Sequence, residues 1–218
     1  KSNSTLLSLT KGTFTFVAFN RRAIPSILRL KQWTESHPVL FAQAEMLRTN
    51  RLESHFAIET GIHALDALRF LMGDPASIEV QARPHDSSNV CDYTVRLHFS
   101  NGAAAEIAMM LNTGLRRESY LLVSEGAAAE ATLASPYSSP LGYRGDRQWS
   151  GESIVAQHPL TNDELVDGGF LGEYEQFFRS LAQGTPSTCS LSDAARSMQL
   201  AEAVQNRYSG PLPPLSFA

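Results

Sequence analysis

Cysteine is scarce in these 218 residues: only Cys91 and Cys189 are present, far apart and outside any Cys-x-x-Cys pair. That excludes a disulfide framework, and makes a reducing cytoplasm the expected compartment. Lysine occurs only at positions 1, 11 and 31, which leaves a catalytic lysine few places to be. Charged residues make up 18% of the chain, against about 25% in an average soluble protein. The balance is 18 basic to 22 acidic residues, a net charge of −4. A mildly acidic chain without a lysine-rich stretch is a poor nucleic-acid binder, so no nucleic-acid partner is expected. No apolar run approaches the ~18 residues of a membrane span. The opening, KSNSTLLSLTKGT, lacks the basic-then-apolar order of a signal peptide. GxGxxG, GxxxxGK[ST] and GxSxG are all missing, so the residues themselves give no phosphate-cradling loop and no nucleophile elbow.

What is present is a hydrophobic fraction of 43%, enough for a sizeable core in one large domain or one and a half. Leu6, Leu7 and Leu9 read as the end of a helix closed by Gly12. Thr13–Phe19 (TFTFVAF) reads as a buried strand, rich in aromatic and β-branched residues. So apolar a strand needs neighbours on both sides, and nothing before it supplies them. The chain is therefore expected to begin in the middle of a domain.

Pro25 is placed to open a helix running to about Glu35, because its missing N–H would be unpaired there anyway. Pro38–Leu47 reads as a strand, 50–54 as a polar linker, and Ala57–Met72 as a helix ended by Gly73 and Pro75. Strands follow at Ser77–Arg83, Asp92–Phe99 and Ala103–Leu111, the last two joined by Asn101-Gly102, a strong hairpin signal. A second hairpin, Glu118–Glu125 with Ala127–Ala134, turns at Gly126. The whole reads as an antiparallel meander. Ala103–Leu111 (AAAEIAMML) is apolar on both faces, so one face can take helices and the other needs a second cover, for which a partner subunit is the simple candidate. Ser135–Gly168 reads as a long irregular loop with a short strand near Ser153–His158. The apolar stripe Phe170, Leu171, Tyr174, Phe177, Phe178 and Leu181 marks a helix. Ser190 and Asp193 resemble a capping box before the last helix, and the proline-rich tail GPLPPLSFA is expected to be extended.

Two groups of residues could carry chemistry. On the helix at 57–72, Glu59, His63 and Asp66 fall at i, i+4 and i+7, within about 60° of arc. Histidine can exchange a proton near neutrality, and a carboxylate one turn away can fix its tautomer. The plainer reading of this trio is a solvated polar face. A zinc site would need a further ligand, and no second histidine or thiol sits at ligand spacing on this helix, so no metal is expected. The second group, Asn20-Arg21-Arg22, follows the first strand directly, where asparagine and arginine could hold the hydroxyl or carboxylate groups of a small polar substrate. Its plainer reading is a surface turn. Arg116-Arg117 reads as solvated, and His98 as structural or exposed.

FVAFNRRAIP (16–25), IETGIHALDALRFLMGDP (58–75) and GEYEQFFRSLAQGTPSTCSLSDAARSMQLAEAVQ (172–205) come in the order and spacing of the Gfo/Idh/MocA oxidoreductases, the glucose–fructose oxidoreductase and inositol dehydrogenase family. The resemblance spans nearly the whole chain. It implies an α+β fold: a mostly antiparallel open sheet with helices on one face, as in that family's C-terminal domain. Residues 1–20 would be the remnant of an N-terminal dinucleotide-binding domain, and residues 21–218 the substrate-binding and oligomerisation domain. The family's Asp-x-x-x-His pair falls on Glu59 and His63, with His63 as the acid/base and Glu59 one methylene longer than the usual aspartate. Thr60, Asn20 and Arg21 fall where members contact substrate. The resemblance further implies hydride transfer between a sugar-like or cyclitol hydroxyl and NAD or NADP, and a homodimer or homotetramer formed through the open sheet face. The glycine-rich loop and the Glu-Lys-Pro lysine of the family are missing, so the main cofactor site is expected upstream of Lys1. This chain alone is expected to bind no cofactor and to be inactive. The alternative is a non-catalytic oligomerisation or small-ligand-binding module that lost its cofactor domain.

Overall fold

The structure, a computed structural model, describes residues 13–85, 90–133 and 144–213. A short 3-10 turn (Asn20–Ala23) leads into α1 (Pro25–Thr34). Strand β1 (Phe41–Leu47) follows, then a wide π turn (Ala57–Gly61) that runs straight into α2 (Ile62–Met72). Strands β2 (Ser77–Pro84), β3 (Cys91–His98), β4 (Ala104–Met110), β5 (Arg117–Ser124) and β6 (Ala127–Thr132) come next. The chain continues through β7 (Gly145–Ser150), β8 (Ser153–Pro159), α3 (Glu164–Asp167), α4 (Phe170–Gln183), α5 (Leu191–Gln205) and a two-residue β9 (Gly210–Pro211).

The described strands form one sheet in the order β8-β7-β6-β5-β1-β4-β3-β2-β9. This is the α+β, mostly antiparallel architecture expected. Two meanders make it, β2-β3-β4 and β5-β6-β7-β8, and β1 lies between them, antiparallel to β5 and parallel to β4. The continuous meander read from the sequence is thus split by a strand that precedes both halves. Asn101-Gly102 does make the β3–β4 turn, with Gly102 at φ +86°, a left-handed conformation that glycine adopts without a Cβ penalty.

Alternation decides what each strand face meets. Ala42, Ala44 and Met46 of β1, Tyr93, Val95 and Leu97 of β3, and Ala105, Ile107 and Met109 of β4 all point to the helix-covered face and are buried. Helix α2 is buried on several sides because it packs against α1, α5, β1 and β4 at once. Its leucines Leu65 and Leu68 are fully enclosed, each worth about 1.5–3 kcal/mol of burial. Ala64 and Ala67 of the same helix are fully enclosed as well. The other sheet face carries Glu79, Arg96, Glu106 and Gln43 in adjacent register, flanked by the less polar row Ala104, Phe41, Val123 and Ala128.

Several expectations are corrected. Thr13–Phe19 is not a strand: among the described residues it has no ladder partner, and its long-range hydrogen bonds run to the start of the last helix, from Val17 N–H to the Cys189 carbonyl (2.7 Å) and from Leu191 N–H to the Thr15 hydroxyl (3.1 Å). The loop read at 135–168 contains the β7–β8 hairpin and α3, because β8 is an edge strand exposed along nearly its whole length, where an apolar run is not needed. The α4 stripe forms a helix but not a core element: Phe170, Leu171, Tyr174, Phe178 and Leu181 are exposed, and Phe177 meets Phe14 and Phe16 edge-on. The capping box is half made, since the Ser190 hydroxyl accepts from the Asp193 N–H while the Asp193 carboxylate turns to arginines. The helix end at Leu6–Leu9, residues 134–143 of the loop and 214–218 of the tail lie outside the described residues. Among the described residues, no helix is long and apolar enough to cross a membrane.

Candidate functional site

In a 3-10 turn each residue rotates by roughly 120°, so consecutive side chains leave in different directions. Asn20, Arg21 and Arg22 do so. Asn20 donates to the Gly168 carbonyl (2.8 Å). That contact rests on glycine, because a Cβ on Gly169, at φ +77°, would lie 2.2 Å from the Asn20 carbonyl oxygen. Arg21 donates through Nε and Nη2 to the two carboxylate oxygens of Glu118, both at 3.2 Å, and through Nη1 to Asn20 Oδ1 at 2.9 Å. Arg22 turns the other way, into a buried network with Asp66, Asp193 and the Thr188 carbonyl.

Glu118 begins the buried face of β5, two residues before Tyr120 and four before Leu122, and so it points under the helices. Arg48, just past β1, donates to the same carboxylate at 2.5 Å, and the Tyr120 hydroxyl donates to it at 2.9 Å. Burial alone would raise the Glu118 carboxyl. The charges and hydrogen bonds of Arg21 and Arg48 outweigh that and hold it well below the usual carboxylate range. Burial, reinforced by the Glu118 charge, keeps the Tyr120 phenol un-ionised. Sequence reasoning missed Arg48, Glu118 and Tyr120. A signal did exist, because a carboxylate in register with the inward-facing Leu122 must be paired if the strand is to be buried.

His63 sits half-buried on α2, its ring edge-on to Phe19 at 6.2 Å between centroids. Its Nδ1 is buried with no hydrogen-bond partner among the described residues. Burial first, and then the positive charges of Arg21 and Arg48 against the opposing pull of Glu118, push its pKa down to about 4. The imidazole is therefore neutral at pH 7.

That shift has a sign for stability. Between about 6.5 and about 4 the unfolded chain binds a proton at His63 that the folded chain does not. Stability is therefore lost as pH falls through that window, by up to roughly 3 kcal/mol. Urea denaturation between about pH 7 and pH 5 should show this loss, and His63→Gln should remove most of it. An unchanged slope in the variant would contradict the assignment.

The shared face inferred for Glu59, His63 and Asp66 is not assembled. The π turn at Ala57–Gly61 inserts a wide turn just before His63, so the 3.6-residue register does not run through it. Glu59 is exposed and makes no side-chain hydrogen bond to His63, and Thr60 is buried with its hydroxyl accepting from Arg51 Nη2 (2.8 Å). Asp66 is fully buried, bound bidentately by Arg22 (2.9 and 2.6 Å) and by the Ser197 hydroxyl (2.6 Å). It belongs to the packing of α2 against α5.

A cavity of about 510 Å³ opens beside this cluster, with Asn20, Arg21, Arg48 and Glu118 on one wall. Arg116, Arg144, Asn162 and Glu164 contribute elsewhere to its lining. His63 is not a lining residue; it is coupled electrostatically to three residues that are. The described residues do not fit a nicotinamide dinucleotide. The connection from β1 into the helical segment, 48–56, contains no glycine, and β1–β4 is the one parallel strand pair described. Among the described residues no group of three or more His, Cys, Asp or Glu is placed to hold a metal ion.

The family profile of the Gfo/Idh/MocA C-terminal domain, described as "Oxidoreductase family, C-terminal alpha/beta domain", matches residues 46–210, about three quarters of the chain. No curated protein sequence matches. Among similar solved structures is a putative myo-inositol dehydrogenase from Sinorhizobium meliloti 1021 (18% identity, TM-score 0.71, covering 96% of this chain and 68% of that one). Another is an oxidoreductase from Agrobacterium radiobacter in complex with NAD+, L-tartaric acid and magnesium (17% identity, TM-score 0.69, covering 95% and 68%). A third is a UDP-N-acetylglucosamine 3-dehydrogenase from Acidithiobacillus ferrooxidans (16% identity, TM-score 0.79, covering 94% and 66%). At these identities the likeness shows the fold alone. The chain spans about two thirds of the length of the solved structures it matches.

Proposed function

The chain belongs to the Gfo/Idh/MocA oxidoreductase family, and from that premise we propose that it is the substrate-binding and oligomerisation part of an NAD- or NADP-dependent oxidoreductase acting on a sugar-like or cyclitol hydroxyl. Two of these structural relatives, named for inositol and for a nucleotide sugar, support the substrate class, and the one named with NAD+ supports the cofactor. The observation that carries the reading is the neutral imidazole of His63, whose buried Nδ1 lacks a partner beside a polar cavity. His63 takes the proton of the reacting hydroxyl. Asn20, Arg21 and Thr60 position the substrate, while Glu59, exposed and without a hydrogen bond to His63, would have to turn toward the ring to orient it. Nicotinamide would supply the hydride acceptor, and since the described residues do not form its site, it is held outside them. The open sheet face meets a second copy, as a homodimer or homotetramer whose mass light scattering would read.

In the longest natural form of the protein, His63→Ala is expected to lower kcat/KM by about 100-fold or more, the usual range for a general base. Unchanged turnover removes the role. Titration of NAD(H) against the 218-residue chain should show no tight binding, and a tight complex would contradict a cofactor site outside the described residues. The glycine-free connection at 48–56 equally favours a second reading, a non-catalytic ligand-binding or oligomerisation module. Hydride transfer by that longest form, lost with His63, decides against it.

A further inference from the structure

Resting on the sugar-oxidoreductase reading above, we propose that the arginine-lined cavity selects an anionic polyol, a ligand that carries a carboxylate or phosphate group besides its hydroxyls. The argument begins from charge at the cavity wall. Arg21 and Arg48 share a single carboxylate, Glu118, and the three side chains are only 20%, 4% and 7% exposed. The other polar members of the cluster bring no negative charge: Tyr120 is held un-ionised and His63 is neutral. The wall therefore holds two guanidinium groups against one carboxylate, an excess of one positive charge taken largely out of water. Such a charge is costly unless a partner meets it.

The geometry suits an oxyanion. Glu118 holds both guanidinium groups in place, Arg21 Nη1 also donates to Asn20 Oδ1 and Arg48 Nη1 to the Leu47 and Arg117 carbonyls, so what the pair offers an anion is fixed positive charge and the few N–H groups left over. Arg116 and Arg144 bring two further cations to the same cavity. Glu164 and Asp167 also line it, Asp167 accepting from the Thr161 N–H and hydroxyl and from the Asn162 N–H, so the lining as a whole holds four arginines against three carboxylates, one positive charge in excess. The side chains of Asn20 and Asn162, both lining the cavity, are donors and acceptors suited to hydroxyl groups. At about 510 Å³ the space is within the range of small-molecule sites.

An anion seated there has a consequence for His63. Arg21 and Arg48 face the imidazole from the 3-10 turn and the end of β1, and Glu118 from β5. A bound negative charge offsets the surplus of the two arginines and moves the ring back toward ordinary basicity, where it works better as a base at pH 7.

The test uses the 218-residue chain and four probes: D-glucuronate, D-glucose 6-phosphate, D-glucose and inorganic phosphate, each titrated calorimetrically, with the His63 ring resonances followed by NMR. The expected result is that at least one charged sugar saturates about tenfold or more tighter than D-glucose and weakens in about 0.5 M salt. The same sugar, and not D-glucose, should raise the His63 pKa. Which of the two binds identifies the anion as carboxylate or phosphate. Arg144→Glu, at an exposed position of the lining, should weaken the charged sugar several-fold more than it weakens D-glucose. Equal affinity for D-glucose overturns the anionic class while leaving the sugar reading standing. Inorganic phosphate binding as tightly as D-glucose 6-phosphate overturns it in favour of a bare anion site, and no saturation by any probe overturns the site altogether. The His63→Ala turnover experiment decides the oxidoreductase reading independently.

Discussion

Asp66→Ala is expected to destabilise the chain by about 3–5 kcal/mol, the cost of leaving a buried charge without its partner. Asp66 is fully enclosed and binds Arg22 through both carboxylate oxygens, with Ser197 as a further donor and Arg69 at 3.8 Å. Burial works against the Arg22 charge, and the hydrogen bonds and charge of Asp66 reverse that, raising its pKa above the ordinary value. Arg22 is itself 4% exposed, so water cannot replace the lost carboxylate. Asp193 also contacts Arg22, at 2.7 Å, and limits the damage, which sets the expectation at the lower end of the range. Urea denaturation of variant and parent measures the difference. Arg22→Met combined with Asp66→Leu should cost less than Asp66→Ala alone, because removing both charges leaves neither stranded. A loss under about 1 kcal/mol for Asp66→Ala would show that the network is not held by this pair.

Glu118→Ala is expected to be of the same size, about 3–5 kcal/mol, for the same reason applied twice. Its carboxylate is the common acceptor for Arg21, Arg48 and the Tyr120 hydroxyl. Removing it leaves two guanidinium groups repelling one another and a buried phenol without an acceptor. Because the parent carboxyl titrates well below the usual range, its contribution is complete at neutral pH and is lost only as pH falls below about 4.5. The acid loss from His63 begins higher, near 6.5, so the two effects separate along the pH axis. Glu118→Ala should also lower the His63 pKa further, since the one charge that raises it has gone. NMR titration of the His63 ring reads this directly, and an unmoved value would break the electrostatic link between the cavity wall and the imidazole.

Much of the local structure was written in short-range pattern. Pro25 opened α1, Asn101-Gly102 turned β3 into β4, Gly126 turned β5 into β6, and the Ser190 hydroxyl capped α5. Each depends on a few neighbouring residues, and so one stretch of chain is enough to read it. Pattern misled where a partner was needed. Thr13–Phe19 has the composition of a strand, but a strand exists only when another backbone completes its ladder. The stripe on α4 correctly marked a helix and said nothing of whether its apolar side would be covered in this chain.

The site divides along the same line. Residue type and spacing along one segment marked out His63, Asn20 and Arg21, and the order of three motifs along the chain marked the family. The sheet order then placed β1 beside β5, which brought Arg48 and Arg21 onto one carboxylate and next to the imidazole. No single segment contains that juxtaposition: Arg21, Arg48, His63 and Glu118 sit on four different elements. Asp66 shows the converse, a residue whose spacing suggested chemistry and whose neighbours, Arg22 and Ser197, made it structural. Helix periods, turns and caps are local energies that the sequence carries by itself, whereas charge compensation in a low-dielectric interior depends on which groups the completed fold brings within a few ångströms of one another.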